Sequence, residues 1–191
     1  MLKELATIKD ALAARERRGV EKPGVMETAV ALILVPSSHG LEALFIRRAE
    51  RAGDPWSGHI ALPGGRRDPG DRDRLAVAVR ETEEEVGIAL EPSALLGRLD
   101  DVHPSSPGAP ALVISPFIFG LAERPATRLS DEVSGVIWLP LSELRACAGK
   151  AVVELQGNPR EVACFRTEDL VIWGLTYRIL TGFLALAADS R

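Results

Sequence analysis

The sequence has few aromatic residues, no strong basic excess and no long apolar run, and each scarcity argues against a class of function. Aromatic residues make up 5% of the 191 residues, so the chain offers no obvious stacking platform for single-stranded nucleic acid. The net charge of −4 also differs from the basic surface that nucleic-acid binding requires. Apolar runs stay below the roughly 18 residues of a membrane span. We therefore expect neither nucleic acid nor a membrane as a partner.

Cysteine is also scarce, with Cys147 and Cys164 as the two examples. They fit neither a disulfide framework nor a metal-binding motif, so we expect two reduced, buried thiols. Near the start of the chain, Lys3, Lys9 and Asp10 stand where a signal peptide would need an apolar core. Both observations favour a cytoplasmic protein.

The length predicts one main domain, residues 25–191, preceded by an N-terminal helix and linker, residues 1–24. Apolar residues at helical spacing predict an amphipathic helix over Leu2–Arg18, whose basic end suits a helix C-terminus. Its apolar face is expected to pack on the domain or on a second subunit, so a homodimer is among the partners considered. The alternative is a substrate role for Arg15, Arg17 or Arg18 at its basic end.

The remaining chain predicts alternating strands and helices. The apolar run Glu27–Pro36, a turn and the strand Leu41–Arg47 predict a buried hairpin. Further short strands follow, and Glu168–Ala188 is expected to close the chain as one long helix. This order predicts an α/β fold, with a mixed sheet between helices in an α/β/α sandwich.

The most informative stretch runs from Leu62 to Ile88, where a Pro-Gly-Gly break and a charged loop precede a helix. Asp71 or Asp73 can cap the start of this helix, and Gly87 ends it. Four residues at spacings of four, three and four share one face: Leu75, Val79, Thr82 and Val86.

Three carboxylates, Glu81, Glu84 and Glu85, fall on an arc centred away from that face and are predicted to converge on one point. Their repulsion costs about 0.2–0.5 kcal/mol per pair, and they oppose the helix dipole. A hard divalent cation such as Mg²⁺ or Mn²⁺ would reverse both penalties. The alternative is a hydrated acidic surface, because charge runs are often just solvated.

The surrounding residues favour the metal-binding interpretation, since the stretch resembles the Nudix hydrolase signature, G-x5-E-x7-R-E-U-x-E-E-x-G-U, with U a bulky aliphatic residue. Seven residues occupy signature positions: Gly65, Arg80, Glu81, Glu84, Glu85, Gly87 and Ile88. The chain departs from the pattern by one extra residue before Arg80, by Asp71 in place of the first Glu, and by Thr82 in place of the aliphatic residue.

The resemblance implies a Nudix-type sandwich and a metal-dependent pyrophosphohydrolase that binds a small nucleotide. The expected metal ligands are Glu81, Glu84 and Glu85, and one of these or Glu132 is expected to take the proton from water. Arg80 is expected to orient the carboxylates. The expected substrate contacts are Gly64 and Gly65, where the backbone can approach phosphates closely, together with Arg48 and His59.

Within that family the chain is most similar to the coenzyme A pyrophosphatase branch. The extra residue with Asp71 is typical of the branch, and the segments PWSGHIALPGG and IWGLTYRIL resemble its patterns. Trp56, His59 and Leu62 depart from the branch pattern. The implied reaction cleaves coenzyme A or acyl-CoA to 3′,5′-ADP and a 4′-phosphopantetheine product. The alternatives are another nucleotide substrate, such as ADP-ribose, a nucleotide sugar, a dinucleoside polyphosphate or a modified nucleotide, or a binding module without catalysis.

Overall fold

A computed structural model describes residues 2–20, 24–54, 56–104, 111–155 and 158–189. The helices are α1 (Leu2–Ala14), α2 (Arg74–Val86), α3 (Leu141–Ala146) and α4 (Gly174–Asp189). The strands are β1 (Met26–Ser37), β2 (Gly40–Arg48), β3 (Ile60–Ala61), β4 (Gly64–Arg66), β5 (Leu95–Arg98), β6 (Leu112–Gly120), β7 (Val133–Pro140), β8 (Ala148–Leu155), β9 (Asn158–Arg166) and β10 (Val171–Trp173).

The main sheet is mixed, because β1 pairs in parallel with β6 whereas its other pairings are antiparallel. Strand β6 pairs with β1 from Met26 to Leu34, so β2 and β4 must share the opposite edge of β1. Strand β2 takes that edge only from Leu34 to Ser37, and β4 takes it from Thr28 to Val30. This change of partner brings the Gly64–Arg66 strand into the sheet directly before α2.

Helices cover both faces of the main sheet, as the alternation of side chains along β1 requires. Leu32 and Leu34 pack in a core with buried residues of α1, α3 and α4. Ala31 and Ile33 point the other way and pack with buried residues of α2. The predicted α/β/α sandwich with a mixed sheet is therefore confirmed. A second sheet, ordered β10-β9-β8, is antiparallel and adjoins α4.

The predicted hairpin is confirmed, with strand ends that differ from expectation by a residue. The predicted closing helix Glu168–Ala188 was wrong at its start, because β10 precedes it. The backbone of β10 pairs with β9, and Gly174 then adopts a φ of +67° that turns the chain into α4. Tertiary pairing has overridden the helical periodicity of this segment, and Trp173 consequently lies on a strand.

The predicted N-terminal helix was also too long, since α1 ends at Ala14 rather than Arg18. The backbone N–H groups of Arg18 and Val20 donate to Asp100 Oδ1 and Asp101 Oδ2, at 2.8 and 2.7 Å. These bonds to side chains replace the helical ones and fasten the segment after α1 to the end of β5. Residues 21–23 of the predicted linker lie outside the described residues.

The two cysteines are free, with Cys164 buried and Cys147 partly buried, and burial raises the pKa of both thiols. Within the described ranges, every helix falls short of the length and hydrophobicity that a bilayer crossing requires.

Asp101 is a buried carboxylate on which much of this packing depends, because it also accepts from Arg74, Arg98 and Ser115. We predict that Asp101→Asn lowers the free energy of unfolding by about 3 kcal/mol, since it removes the carboxylate paired with the partly buried Arg98 guanidinium and one of the two carboxylates paired with Arg74. The control Asp100→Asn, at a more exposed neighbour, should cost less than about 1 kcal/mol. Urea denaturation measures the free energy of unfolding of both variants. Equal small losses in the two variants would contradict the structural role of Asp101.

Candidate active site

The site begins with Gly64, which only glycine can occupy. Its φ is +151°, and a Cβ atom there would lie 2.2 Å from the carbonyl oxygen of Ala29 and 2.6 Å from Cα of Val30. The missing side chain lets β4 lie against β1, and the Gly64 N–H then donates to Glu85 Oε2 at 2.9 Å. The glycine thus fixes one carboxylate of α2 through the backbone.

Gly65 has no side chain and so leaves space for a second carboxylate, that of Glu81. A Cβ atom on Gly65 would lie 2.2 Å from Oε1 of Glu81, so this carboxylate occupies the position that a side chain would fill. The sequence suggested that both glycines admit phosphates. In the described structure the immediate neighbours of Gly64 and Gly65 are β1 and the carboxylates of α2. The two glycines of the Pro-Gly-Gly break are therefore required by the fold itself, before any substrate binds.

Helix α2 is held at both ends. Asp73 caps its start by accepting from the Ala76 N–H at 2.9 Å, which decides between the two predicted caps. Gly87 ends it, as predicted, and the structure shows that it does so with a φ of +70° and an N–H that donates to the Glu83 carbonyl. Thr82 is fully buried and donates to the Ala78 carbonyl at 2.7 Å, so its hydroxyl is satisfied where an aliphatic residue was expected.

The rotation of α2 differs in part from the prediction. Glu85 lies on the buried side with only 4% exposure, whereas the Glu84 side chain is 59% exposed. The predicted apolar face does pack on the core, since Thr82 and Val86 are fully buried and Leu75 and Val79 are partly buried against it. The buried side is wider than predicted, because Val77 and Ala78 are also fully buried. The three carboxylates therefore differ in environment, from buried Glu85 through Glu81 to exposed Glu84.

Arg80 connects these groups to the loop before α2. Its Nε and Nη2 donate to the two oxygens of Asp71, each at 3.0 Å, and Nη2 also donates to the Arg66 carbonyl. The opposite nitrogen, Nη1, lies 2.9 Å from Glu84 and 3.1 Å from Glu81. The Arg80 hydrogen bonds hold the pKa of Asp71 below its usual range. Asp71 thereby anchors the arginine that contacts both carboxylates.

The acidic groups retain excess negative charge even with Arg80 present. Burial raises the pKa of Glu85 to about 7, and the charges of Glu81 and Glu132 add to the effect. Burial also raises the pKa of Glu81, with further contributions from Glu84 and Glu132. Such shifts mark carboxylates whose charged form lacks a sufficient positive partner.

These residues fit a divalent cation in chemistry, since Glu81, Glu84 and Glu85 supply only hard oxygen donors. As placed in the described part of the chain, no three acidic, histidine or cysteine side chains form a group that could hold an ion. The predicted convergence on one point is therefore not seen. Glu84 lies against Arg80 and Glu85 against Gly64, so metal binding requires at least the exposed Glu84 to change rotamer.

The remaining predicted residues lie around this centre. Glu132 is exposed and pairs with Arg51 at 3.2 Å. Arg48 pairs with Asp54 at 2.8 Å, and its positive charge favours the ionised form of Glu85. The Nε atom of Arg48 is buried without a hydrogen-bond partner among the described residues.

His59 lies beside two tryptophans that sequence reasoning did not place together. Its ring centroid is 5.8 Å from that of Trp56 and 5.1 Å from that of Trp173, and the two indoles are 6.1 Å apart. Burial lowers the pKa of His59, which favours a neutral imidazole. We call Trp56, His59 and Trp173 the aromatic cluster. The sequence signal for this cluster was that Trp56 departs from the branch pattern. Trp173 gave no signal, because it fell within the predicted closing helix.

A family model and related sequences identify the same family. The model of the NUDIX domain matches residues 26–156. An uncharacterized Nudix hydrolase, NudL, from Yersinia pestis is 32% identical over 141 residues, covering 72% of this chain and 68% of that protein. An uncharacterized protein from Schizosaccharomyces pombe is 45% identical over 106 residues, covering 53% of this chain but only 32% of its own length.

The fold is similar to that of a solved NUDIX domain, from Shewanella oneidensis NrtR in complex with ADP ribose. The TM-score is 0.58 at 17% identity, and the match covers 94% of this chain and 96% of that one. At this identity the similarity describes the fold alone.

The raised pKa of Glu85 allows the excess negative charge of the site to be tested. Its folded-state pKa of about 7 exceeds the ordinary value of 4.5, so the folded protein binds the proton more tightly than the unfolded chain. Stability should therefore fall as pH rises from about 4.5 to 7, by up to about 3 kcal/mol. We predict that Glu85→Gln reduces this decline in metal-free buffer to the part that Glu81 contributes, as measured by urea denaturation at several pH values. The exposed control Glu83→Gln should keep it, and parallel wild-type and Glu85→Gln curves would refute the shift.

Proposed function

The chain belongs to the Nudix hydrolase family, and from this membership we propose that it is a divalent-metal-dependent pyrophosphohydrolase of nucleoside diphosphate derivatives. One observation carries the proposal: Glu81 and Glu85 are held against the Gly64–Gly65 strand, and both carboxyl pKa values are raised. A folded protein that keeps such unbalanced charge is suited to bind Mg²⁺ or Mn²⁺.

The proposed reaction is hydrolysis of X–O–PO₂–O–PO₂–O–Y. Water attacks one phosphorus, the bond to the bridging oxygen breaks, and two phosphate monoesters result. Divalent ions bound by Glu81, Glu84 and Glu85 would neutralise the diphosphate and lower the pKa of the attacking water. One of these carboxylates or Glu132 accepts the proton of that water.

The contacts of the side chains support separate roles. Arg80, anchored on Asp71, positions Glu81 and Glu84 without needing to touch substrate. Glu84 is exposed, and within the part of the chain that the structure describes its ion pair is with Arg80 alone, so it can turn toward an ion at low cost. Glu132 is similarly exposed, and the Arg51 pair that holds it is a weak surface contact.

The proposed substrate is coenzyme A or an acyl-CoA, with 3′,5′-ADP and a 4′-phosphopantetheine derivative as products. Support comes from the segments PWSGHIALPGG and IWGLTYRIL, which resemble those of coenzyme A pyrophosphatases. Their aromatic residues meet in the aromatic cluster, since Trp56 and His59 belong to the first segment and Trp173 to the second. Two segments that resemble the same branch in sequence are thus neighbours in space.

The aromatic cluster and the carboxylates of α2 both lie near Arg48. The Arg48 N–H donates to the His59 carbonyl at 3.0 Å, and the charge of the Arg48 side chain acts on both His59 and Glu85. Trp56 is 49% exposed, so its indole can stack on a planar base. The cluster favours a nucleotide over a diphosphate that has no aromatic ring.

A second candidate is a Nudix hydrolase for ADP-ribose, which also carries an adenine. It is favoured by the departures of Trp56, His59 and Leu62 from the coenzyme A pattern. The Shewanella oneidensis NrtR domain of similar fold was solved with ADP ribose. A nucleotide-binding module without catalysis is the least supported alternative, because all the acidic signature positions after Asp71 are present.

The catalytic role of Glu84 is tested by Glu84→Gln. We predict a loss of kcat of about 10²–10⁴-fold, because a ligand or base is removed. Stability should change by less than about 0.5 kcal/mol, because the pair that Glu84 forms with Arg80 is an exposed helix-surface contact. Steady-state assays in saturating Mn²⁺ and thermal denaturation measure the two effects. The neighbouring Glu83→Gln should retain activity, and unfolding of Glu84→Gln would show that Glu84 is structural.

The substrate is tested by mass spectrometry of products from coenzyme A, ADP-ribose and a dinucleoside polyphosphate. We predict that coenzyme A has the highest kcat/KM, and that Trp56→Ala raises its KM about tenfold because base stacking contributes about 1–3 kcal/mol. Val152→Ala, at another exposed apolar residue, is the control and should leave KM unchanged.

Equal cleavage of coenzyme A and ADP-ribose would refute the coenzyme A assignment. No cleavage of any compound in saturating Mn²⁺, combined with tight nucleotide binding, would favour the module without catalysis.

A further inference from the structure

A basic cavity of about 880 Å³ lies at the other end of α2, between the segment after α1 and the sheet. Five arginines line it: Arg17, Arg67, Arg72, Arg74 and Arg98. Three carboxylates also line it, those of Glu27, Asp73 and Asp101, so the formal excess is two positive charges. This excess stands out in a chain whose net charge is −4.

Some arginines of the basic cavity have a structural role, because two carboxylates each accept hydrogen bonds from two arginines. Glu27 accepts from Arg67 at 2.6 Å and from Arg74 at 2.8 Å. Asp101 accepts from Arg74 at 3.0 Å and also from Arg98. These ion pairs account for the more buried arginines and tie the sheet to the start of α2.

The arginines at the rim are not accounted for in this way. Arg17 is exposed and forms no ion pair with any residue in the described ranges. Among the described residues Arg72 forms an ion pair with its chain neighbour Asp73 alone, at 3.0 Å, and its side chain is 83% exposed. Both can reorient toward a ligand in the cavity without breaking a buried contact.

The cationic groups also repel one another. Burial lowers the pKa of Arg98 from its usual range, and the nearby charges of Arg17 and Arg74 lower it further, against the favourable effect of Asp101. The Nε atom of Arg98 is buried without a partner among the described residues, and its guanidinium lies 5.2 Å from the centre of the Phe117 ring. An anion in the cavity would relieve this repulsion.

We propose that this basic cavity binds a phosphoryl group, at a site distinct from the catalytic carboxylates. Arginine forks match phosphate oxygens in geometry and charge, and several forks around one cavity are suited to a dianion. Arg74 precedes Glu81 by seven residues, which corresponds to about 10 Å along the helix axis. That distance separates the phosphoryl group from the metal-binding end of α2.

The phosphoryl group can come from two sources, which share this chemistry. It is either a second phosphate of the substrate, remote from the scissile diphosphate, or a free phosphate-bearing anion that binds independently.

The test is calorimetric titration with inorganic phosphate in EDTA at constant ionic strength. Without metal ions, the catalytic carboxylates repel phosphate, so binding reports the basic cavity. We predict that the double variant Arg17→Ser/Arg72→Ser binds phosphate about tenfold more weakly than wild type. The matched control Arg160→Ser/Arg166→Ser removes two exposed arginines from β9 and should bind as wild type does.

No phosphate binding by the wild-type protein would overturn the proposal, as would equal losses in the two double variants. Glu81→Gln should retain phosphate binding, so a failure of the proposed hydrolysis would not be mistaken for a failure of this site. The sources are separated by kinetics with a substrate that carries a remote phosphate. A raised KM in Arg17→Ser/Arg72→Ser identifies the substrate phosphate, whereas an unchanged KM with lost phosphate binding identifies an independent anion.

Discussion

The close approach of α2 to β4 is the constraint on which the site depends. It requires two consecutive glycines, since Gly64 lies against the backbone of β1 and Gly65 leaves room for the Glu81 carboxylate. Glu85 is consequently buried, and among the described residues its hydrogen-bond partner is the backbone N–H of Gly64. The fold thus supplies steric space for the carboxylates but not the positive charge that would fully balance them.

Helix α2 has opposite charge at its two ends. Its last turns carry the acidic groups, and its first turn adjoins the basic cavity, where Arg74 reaches both Glu27 and Asp101. This arrangement opposes the helix dipole, which favours acidic groups at the start and basic groups at the end. Packing and ion pairs with the sheet therefore have to offset the unfavourable charge pattern. We interpret both ends as sites that bind ions of opposite sign.

The architecture was predictable because hydrophobic periodicity and glycine breaks are local signals. The hairpin of β1 and β2, the end of α2 at Gly87 and the sandwich all followed from them, whereas the cap at the start of α2 was narrowed only to Asp71 or Asp73. The errors arose where distant residues decide the structure. Asp100 and Asp101 end α1 early by accepting from backbone N–H groups about 80 residues away in sequence.

The site was predictable in composition but not in geometry. Periodicity grouped the three carboxylates of α2, yet the burial of Glu85 depends on β4, whose pairing with β1 no local pattern indicates. Trp173 was placed in a helix because its strand is only three residues long. Its approach to Trp56 depends on tertiary packing that links opposite ends of the domain sequence.

The central claim is that the unbalanced carboxylates of α2 bind divalent ions against a diphosphate. The most direct measurement is anomalous diffraction from crystals soaked in Mn²⁺ with a non-hydrolysable diphosphate analogue. We predict a manganese peak bound by oxygens of Glu81, Glu84 and Glu85, with a phosphate oxygen in the same coordination shell. Clear density for the analogue without any manganese peak among these three side chains would contradict the account.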